Sequence, residues 1–221
     1  MGAAIVLVAA SLTAQAHFLF IVADAEDAAK AIVVFSDDLT VDDAVTMDKV
    51  GGLKLQVKDS GGKLTEAKIE KDEHNLNVSV PGSGSRIVFG SVPYGVMQKG
   101  DAKPYLLSYH PKAIIGAIPA DGGKLGGTTP ELVPVAAGGN VKFLFLSSGK
   151  VVADAEATVI LPDGKKEKTK TDSQGFTKEF AGGGRYGVWV RVTEVKAGEH
   201  NAKKYEEARH YATLVVDVPG K

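Results

Sequence analysis

Histidine is the residue type in this chain best suited to metal chemistry, and it is scarce. The 221 residues include five histidines and no cysteine. A transition-metal site would therefore rely on imidazole nitrogens, with or without a carboxylate. No two of the histidines have a local ligand spacing such as His-x-x-x-His, so the fold must bring any ligands together. The five are His17, His74, His110, His200 and His210.

His17 has a position that could give it a second donor nitrogen. The apolar run Ala3–Leu12 is followed by Ala14-Gln15-Ala16, the small-x-small pattern at which signal peptidase cuts. We therefore expect residues 1–16 to be a signal peptide, although its apolar run is not preceded by Lys or Arg. Cleavage there would place His17 first, so that its α-amine and its imidazole could chelate one metal ion. With a second imidazole, these nitrogens form an arrangement that suits Cu(II) or Ni(II).

The companions of His17 are predicted from their places relative to the strands. His210 begins the last predicted strand, which we expect to lie at the interface with the first half of the chain and to face His17. His74 lies in a polar turn, and loops at the rim of a sandwich often collect ligands. A backbone-bonded His210 and a solvated His74 are the alternatives. The predicted metal ligands are His17, His74 and His210, whereas His110 is interpreted as structural and His200 as solvated.

Other chemistry is poorly represented in the sequence. There is no Gly-x-Ser-x-Gly, no phosphate-binding loop before a helix and no His-Glu-x-x-His, so the sequence predicts a protein that is not an enzyme. An acidic stretch lacks the spacing and central glycine of a calcium loop and is predicted to be a solvated face. Its carboxylates are Asp24, Glu26, Asp27, Asp37, Asp38, Asp42 and Asp43.

Composition limits the class of protein and its partners. The formal net charge is −1, with 44% hydrophobic and 24% charged residues, values that are ordinary for a globular protein. No basic face indicates a nucleic-acid partner, and no apolar run after Leu12 approaches the ~20 residues of a membrane span. An exported chain without cysteine suits a bacterial periplasm or cell surface, so we expect a periplasmic or secreted protein.

The hydrophobic pattern predicts an all-β fold. Short apolar or alternating runs are separated by turn residues such as Asp59-Ser60-Gly61-Gly62 and Pro162-Asp163-Gly164. A glycine-rich passage near Gly122 to Gly127 divides the chain into two predicted β-sandwich domains, 17–127 and 128–221, both immunoglobulin-like. Helices are predicted only at 42–49 and 202–208, and Trp189 is the candidate central buried aromatic of the second sandwich.

Several short motifs resemble one bacterial family. They are Ala16-His17-Phe18, Thr129–Pro134, Thr171–Phe176, Gly184–Val190 and Tyr205–Leu214. In this order they resemble a domain-of-unknown-function family described as the periplasmic component of cobalt/nickel uptake systems. The resemblance implies a second domain like the carboxypeptidase regulatory or Cna-B sandwich. It also implies a metal ion as ligand and a membrane metal transporter as a partner.

The sequence therefore predicts an exported, non-enzymatic protein that captures or relays nickel, cobalt or copper through His17. Two other functions remain open. The first is a structural or adhesive β-sandwich module with no metal affinity beyond that of scattered histidines, since fold alone does not determine function. The second is a copper-dependent oxidative enzyme built on a histidine brace, which would need an open coordination position and a substrate surface.

Overall fold

The structure, a computed structural model, describes residues 17–127 and 129–220. The predicted signal peptide lies outside these residues. The described chain is almost entirely strand, in agreement with the predicted all-β class, and has one short 3-10 helix at Asp48–Val50. No helix within the described ranges is long and apolar enough to cross a membrane.

The strands are short in general, with four long ones of 11 or 12 residues, two near the middle and two near the end of the described chain. In order they are β1 (Phe18–Ala23), β2 (Lys30–Ser36), β3 (Lys54–Asp59), β4 (Leu64–Glu66), β5 (Lys68–Lys71), β6 (Asn75–Ser79), β7 (Arg86–Met97), β8 (Tyr105–Ile115), β9 (Glu131–Ala137), β10 (Asn140–Ser147), β11 (Lys150–Val151), β12 (Glu156–Ile160), β13 (Lys166–Lys170), β14 (Phe180–Ala181), β15 (Gly184–Glu194), β16 (Gly198–His200), β17 (Lys203–Tyr205) and β18 (Glu207–Val218).

One eight-stranded sheet runs through both halves of the chain. Its order is β13-β12-β15-β18-β8-β7-β3-β4, and we call it the central sheet. The halves join where β18 pairs in parallel with β8, from Glu207 beside Tyr105 to Val216 beside Ile114. Three smaller sheets complete the described fold: β1-β2-β6-β5, then β11-β10-β14 with β9 paired to β10, and the two-stranded β16-β17.

The two hydrophobic cores lie on opposite faces of the central sheet. Along β18, Tyr211 and Val215 belong to the core that includes β1 and β2, whereas Ala212, Leu214 and Val216 belong to the core that includes β10. This separation follows from the two-residue period of a strand, which points successive side chains to opposite faces. We call the side covered by β1-β2-β6-β5 the first face and the other side the second face.

The outer edge of β1 is covered by side chains instead of a further strand. β1 pairs only with β2. Two carbonyl oxygens of β1 and that of the preceding His17 accept hydrogen bonds from side chains of the central sheet: His17 from the Tyr109 hydroxyl (3.2 Å), Leu19 from Thr213 Oγ1 (2.6 Å) and Ala23 from Arg185 (2.9 Å). Because polar backbone groups at a sheet edge need partners, these bonds fix β1, and with it His17, against the first face.

Both predicted helices differ from the structure. The helix predicted at 42–49 is a set of turns ending in the 3-10 helix, and the one at 202–208 is the turn and strands around β17. The turn predicted at Asp59-Ser60-Gly61-Gly62 joins β3 to β4, after which the chain crosses to the other sheet, where β5 pairs with β6.

Trp189 is not the central aromatic of the second core. It lies on the first face, half-buried and stacked on Phe18 at 4.0 Å between ring centroids. Its odd position in β15 points it away from Val188 and Val190, which belong to the second core. Tyr186, Phe143 and Phe145 are the fully buried aromatics of the second core, and the Tyr186 hydroxyl donates to the carbonyl oxygens of Ala181 and Gly182.

Candidate functional site

Four of the five histidines fall into two groups, one on each face of the central sheet, and His200 lies apart in β16. His17 precedes β1 and lies on the first face, where its carbonyl oxygen meets Tyr109. His110 and His210 follow and precede Tyr109 and Tyr211 in their strands, and these two tyrosines stack on the first face at 5.8 Å. Strand alternation therefore points both histidines to the second face. The expected pairing of His210 with His17 is wrong for this reason.

His17 is held by a carboxylate from the segment that follows β2. Its Nε2 lies 2.9 Å from Asp42 Oδ2, and its ring contacts Phe35 at 5.8 Å between centroids. The His17 side chain is 23% exposed, so the imidazole is reachable from solvent but partly enclosed. When Nε2–H donates to the carboxylate, the lone pair of the ring lies on Nδ1, the nitrogen nearer the backbone.

Asp42 is itself fixed by its neighbours. Its Oδ1 accepts the Ala44 amide at 2.9 Å. This backbone bond, followed by the bond from His17, holds the pKa of Asp42 below its ordinary value, and charge on His74 acts in the same direction. At neutral pH Asp42 is therefore ionised and accepts a hydrogen bond from His17 Nε2. The acidic stretch is therefore more than a solvated face, because one of its members orients a histidine.

His74 lies in the same electrostatic neighbourhood as Asp42. Its Nδ1 donates to the Val45 carbonyl oxygen at 3.0 Å, which leaves the lone pair on Nε2. Glu73 Oε1 is 3.8 Å from that Nε2. A backbone carbonyl that fixes the tautomer of an imidazole is a common arrangement behind histidine metal ligands. The 42–45 segment therefore contacts both His17 and His74.

The first-face site rests on a rigid aromatic framework. Phe35, Tyr94 and Tyr109 pack edge to face within 6 Å of one another, between 5.4 and 5.9 Å. Burial, and then the nearby tyrosines, raise the pKa of Tyr109. Its hydroxyl therefore stays protonated and can donate to the His17 carbonyl. This framework positions the backbone of His17 but adds no metal ligand.

The second face holds a continuous hydrogen-bonded chain of three side chains. Ser91 Oγ lies 2.8 Å from His110 Nδ1, and His110 Nε2 lies 2.9 Å from His210 Nδ1. Burial, and then the neighbouring His210, lower the pKa of His110 to about 4. Burial also lowers the pKa of His210. Both imidazoles are therefore neutral at neutral pH, so each can donate through one ring nitrogen and accept through the other.

A buried ion pair lies beside this chain. Lys112 Nζ is 3.0 Å from Glu131 Oε2 and 2.9 Å from the Leu132 carbonyl oxygen. The same carboxylate accepts the amides of Leu125 and Gly126, so it fastens the passage between the two halves to β8. Burial lowers the pKa of Lys112, and Glu131 opposes that shift. A pocket of about 260 Å³ opens between the pair and Ser91.

Neither group is a complete metal site by itself. Within residues 17–127 and 129–220, no three His, Asp or Glu side chains are grouped closely enough to hold a metal ion. His200 is exposed to partly exposed in β16 and contacts Asn201, which is consistent with a surface role. Metal binding at His17, His74 or His210 therefore stays a prediction.

Sequence reasoning missed Asp42, Ser91 and the pairing of His110 with His210. Asp42 was one of seven similar carboxylates, and nothing local distinguishes it. A signal for the second face did exist: His110 and Lys112 are polar residues at alternate positions of an otherwise apolar strand, which indicates one face with polar partners. The parallel pairing that brings His210 beside His110 spans 100 residues and has no local signal.

Comparisons with known proteins add little to this geometry. No protein-family model matches the chain, and no curated protein sequence is similar to it. Structurally it is similar to a segment of two fibronectin type-III domains from chicken tenascin, at 12% identity over 88% of this chain and 97% of that one, with a TM-score of 0.23. A pullulanase from Anoxybacillus sp. LM18-11 is similar at 12% identity and a TM-score of 0.22, and the match covers 85% of this chain and 27% of the pullulanase. Likenesses this distant carry no functional argument.

Proposed function

We propose that the protein is exported, loses residues 1–16, and binds one divalent transition metal ion through His17. The bond between His17 Nε2 and Asp42 carries this proposal. It assigns the hydrogen to Nε2 and leaves Nδ1 unprotonated. Nδ1 and the α-amine of the same residue are the two nitrogens that an N-terminal histidine offers to a metal. A carboxylate behind the outer nitrogen also fixes the orientation of the ring.

His74 is the side chain we propose to complete the site. Its Nε2 carries the lone pair because Nδ1–H is bonded to the Val45 carbonyl oxygen. Asp42 and Val45, the partners of the two histidines, belong to one short turn segment. The proposed site requires that segment to move so that His74 approaches His17. The α-amine and two imidazoles then supply three nitrogens, a donor set suited to copper, nickel or cobalt.

The proposed role is capture or relay of nickel, cobalt or copper outside the cytoplasm, with a membrane metal transporter as the proposed partner. The motifs shared with the periplasmic cobalt/nickel uptake family support this role. In this role the metal ion is the cargo and takes part in no reaction. The nitrogen atoms of the site bind the metal ion in competition with protons.

The first test concerns the chain start and the metal together. The full chain is expressed with its leader in a bacterial host, and the exported protein is analysed by intact mass. It is then stripped with a chelator and titrated calorimetrically with Cu(II), Ni(II) and Co(II). We expect a chain that begins at His17 and binds one equivalent of metal. A mature chain that starts elsewhere would remove the α-amine from the site and contradict the proposal.

Variants separate this site from scattered surface histidines. We expect His17→Ala to weaken binding at least about 100-fold and His74→Ala about 10-fold, since each removes a donor nitrogen. His200→Ala is the matched control, because that histidine is remote from β1 and should leave affinity unchanged. Equal affinity in all three variants would favour a structural or adhesive module without a metal site.

A further inference from the structure

Ser91 is the exposed end of the hydrogen-bonded chain on the second face. It lies in β7 and lines the pocket, and the residue is exposed while His110 behind it is buried. The hydrogen-bonded chain of Ser91, His110 and His210 has one consistent arrangement of protons in which Ser91 is a donor. Ser91 Oγ–H donates to His110 Nδ1, and His110 Nε2–H donates to His210 Nδ1. A nucleophile bonded to a base, which is bonded in turn to an orienting group, is the general pattern of an activated serine.

We propose that Ser91 is a nucleophile toward small carboxylic esters, with His110 as its general base and His210 as the residue that holds His110 in position. The distances of 2.8 and 2.9 Å are within the range for proton transfer and for orientation. With the hydrogen of His110 on Nε2, where it is donated to His210, Nδ1 is available to accept a proton from Ser91. Because burial makes it a weak base, the substrates expected to react are esters with good leaving groups.

The pocket limits the size and the charge of the substrate. Its volume of about 260 Å³ admits a short acyl chain, and Phe89, Pro111 and Leu125 provide apolar wall. Lys54 pairs in register with Ser91 and lines the same pocket. A side chain at Gly90 would collide with the Lys54 carbonyl oxygen, so the glycine permits β7 and β3 to approach closely here. Lys54 is therefore the cationic residue directly opposite Ser91 in the ladder, and its ammonium is the group assigned to stabilise the oxygen that becomes negative.

The reaction balances without any further reagent except water. Ser91 Oγ bonds to the ester carbonyl carbon while its proton passes to His110 Nδ1. The carbon–oxygen bond to the leaving alcohol then breaks, and the alcohol takes the proton from His110. Water repeats the sequence on the acyl-serine, with His110 accepting its proton, and releases the carboxylic acid. His210 shares the transient charge through its bond to His110 and touches no reacting atom.

This activity is independent of the proposed metal site. Ser91 and His110 lie on the second face, and His17 lies on the first. The test therefore uses the full chain in the presence of a chelator. A fluorophosphonate probe is added, which forms an Oγ–phosphorus bond and releases fluoride and a proton. The labelled residue is identified by peptide mass spectrometry, and p-nitrophenyl acetate is used to measure turnover.

We expect labelling at Ser91 that is absent in Ser91→Ala and unchanged in Ser60→Ala, which alters a serine in an exposed turn. His110→Gln keeps a donor toward His210 but removes the base, and it should slow labelling at least about 100-fold. Absence of label at Ser91 overturns the proposal. Equal labelling of Ser91 and Ser60 also overturns it, as does a His110→Gln protein that is labelled at the wild-type rate.

The positioning role of His210 has its own readout. His210→Asn retains an acceptor atom at the position of Nδ1, whereas His210→Leu has none. We expect Asn to restore most of the labelling rate that Leu loses, with similar melting temperatures for the two variants. Equal rates in the Asn and Leu variants would exclude an orienting bond from His210.

Discussion

The histidines on the two faces of the central sheet differ in their hydrogen-bond partners and in their burial. On the first face His17 meets a carboxylate and His74 a backbone carbonyl, and both rings keep access to solvent. On the second face His110 meets another histidine and a serine and is buried. A carboxylate favours an imidazole that binds cations, whereas burial beside a neutral imidazole favours one that stays uncharged. Partner type and burial thus separate two kinds of chemistry on one sheet.

The largest effect expected on the second face comes from its buried ion pair. Glu131→Ala leaves the Lys112 ammonium without its partner and frees the Leu125 and Gly126 amides. We expect a loss of about 3–5 kcal/mol in the free energy of unfolding, because an unpaired buried charge is costly. Urea denaturation measures it. The control is Asp37→Ala, which breaks the more exposed pair with Lys166 and should cost less than about 1 kcal/mol.

Comparable losses in these two variants would show that Glu131 is not the anchor of the passage between the halves. The wall of the Ser91 pocket formed by Leu125 and Glu131 would then not be held in place by this ion pair. The difference in burial between the histidine partners of the two faces would then matter less for stability.

Acid should destabilise the second face before the first. The pKa of His110 is about 4 in the folded protein against 6.5 for the ordinary imidazole. Between these two pH values the unfolded chain therefore binds more protons than the folded protein. The stability that this neutral histidine preserves is complete above pH 6.5 and is lost as the pH falls toward 4. The contribution is on the order of 3 kcal/mol at most. Urea unfolding at a series of pH values measures the slope.

In His110→Gln the decrease in the free energy of unfolding between pH 6.5 and pH 4 that is due to His110 should disappear. His17→Gln should leave that decrease unchanged. A pH dependence that is the same in wild type and His110→Gln would contradict the assignment of the acid sensitivity to the second face.

Asp42→Asn tests the first face. The amide no longer favours the tautomer in which Nδ1 of His17 is free, so we expect metal affinity of the processed protein to fall about 10- to 100-fold. Calorimetric titration with Cu(II) measures it. Asp43→Asn is the matched control, since Asp43 is the next carboxylate along the chain. Loss of affinity in Asp43→Asn but not in Asp42→Asn would show that Asp43, and not Asp42, is the carboxylate that orients His17.

The smallest effect is expected at the covered edge of β1. Thr213→Val keeps the shape of the side chain but removes the hydroxyl that donates to the Leu19 carbonyl oxygen. We expect a loss of about 1 kcal/mol in the free energy of unfolding. Hydrogen exchange should show faster exchange in β1 than in β15. Unchanged exchange in β1 would mean that this bond does not hold the strand that carries His17.

The all-β class was predictable because strand alternation is a local property of the sequence. Runs such as Leu53–Lys58 alternate strictly and became β3, apart from its first residue. The helix predicted at 42–49 failed because its side chains are used in turns, where Asp42 bonds the Ala44 amide instead of starting a helix. Local pattern determined the strands but not their order in the sheets.

The candidate sites were less predictable because they depend on that order. His17 could be singled out from its neighbours in the sequence, but Asp42 could not. His210 was assigned to the wrong face because the face depends on the register of β18 against β8, which no local pattern encodes. Tyr186 and Trp189 were confused for the same reason, since they lie three residues apart in one strand and point to opposite cores.

The parallel union of β8 and β18 also has a consequence for how the molecule is assembled. The last twelve-residue strand sits in the middle of the central sheet and contributes to both cores. Neither half can finish packing until β18 has been made, because the strand that separates the two cores follows every other described strand. Contacts this distant along the chain slow folding. A nascent chain that has not yet supplied β18 therefore leaves both layers open, and the addition of this strand closes them together.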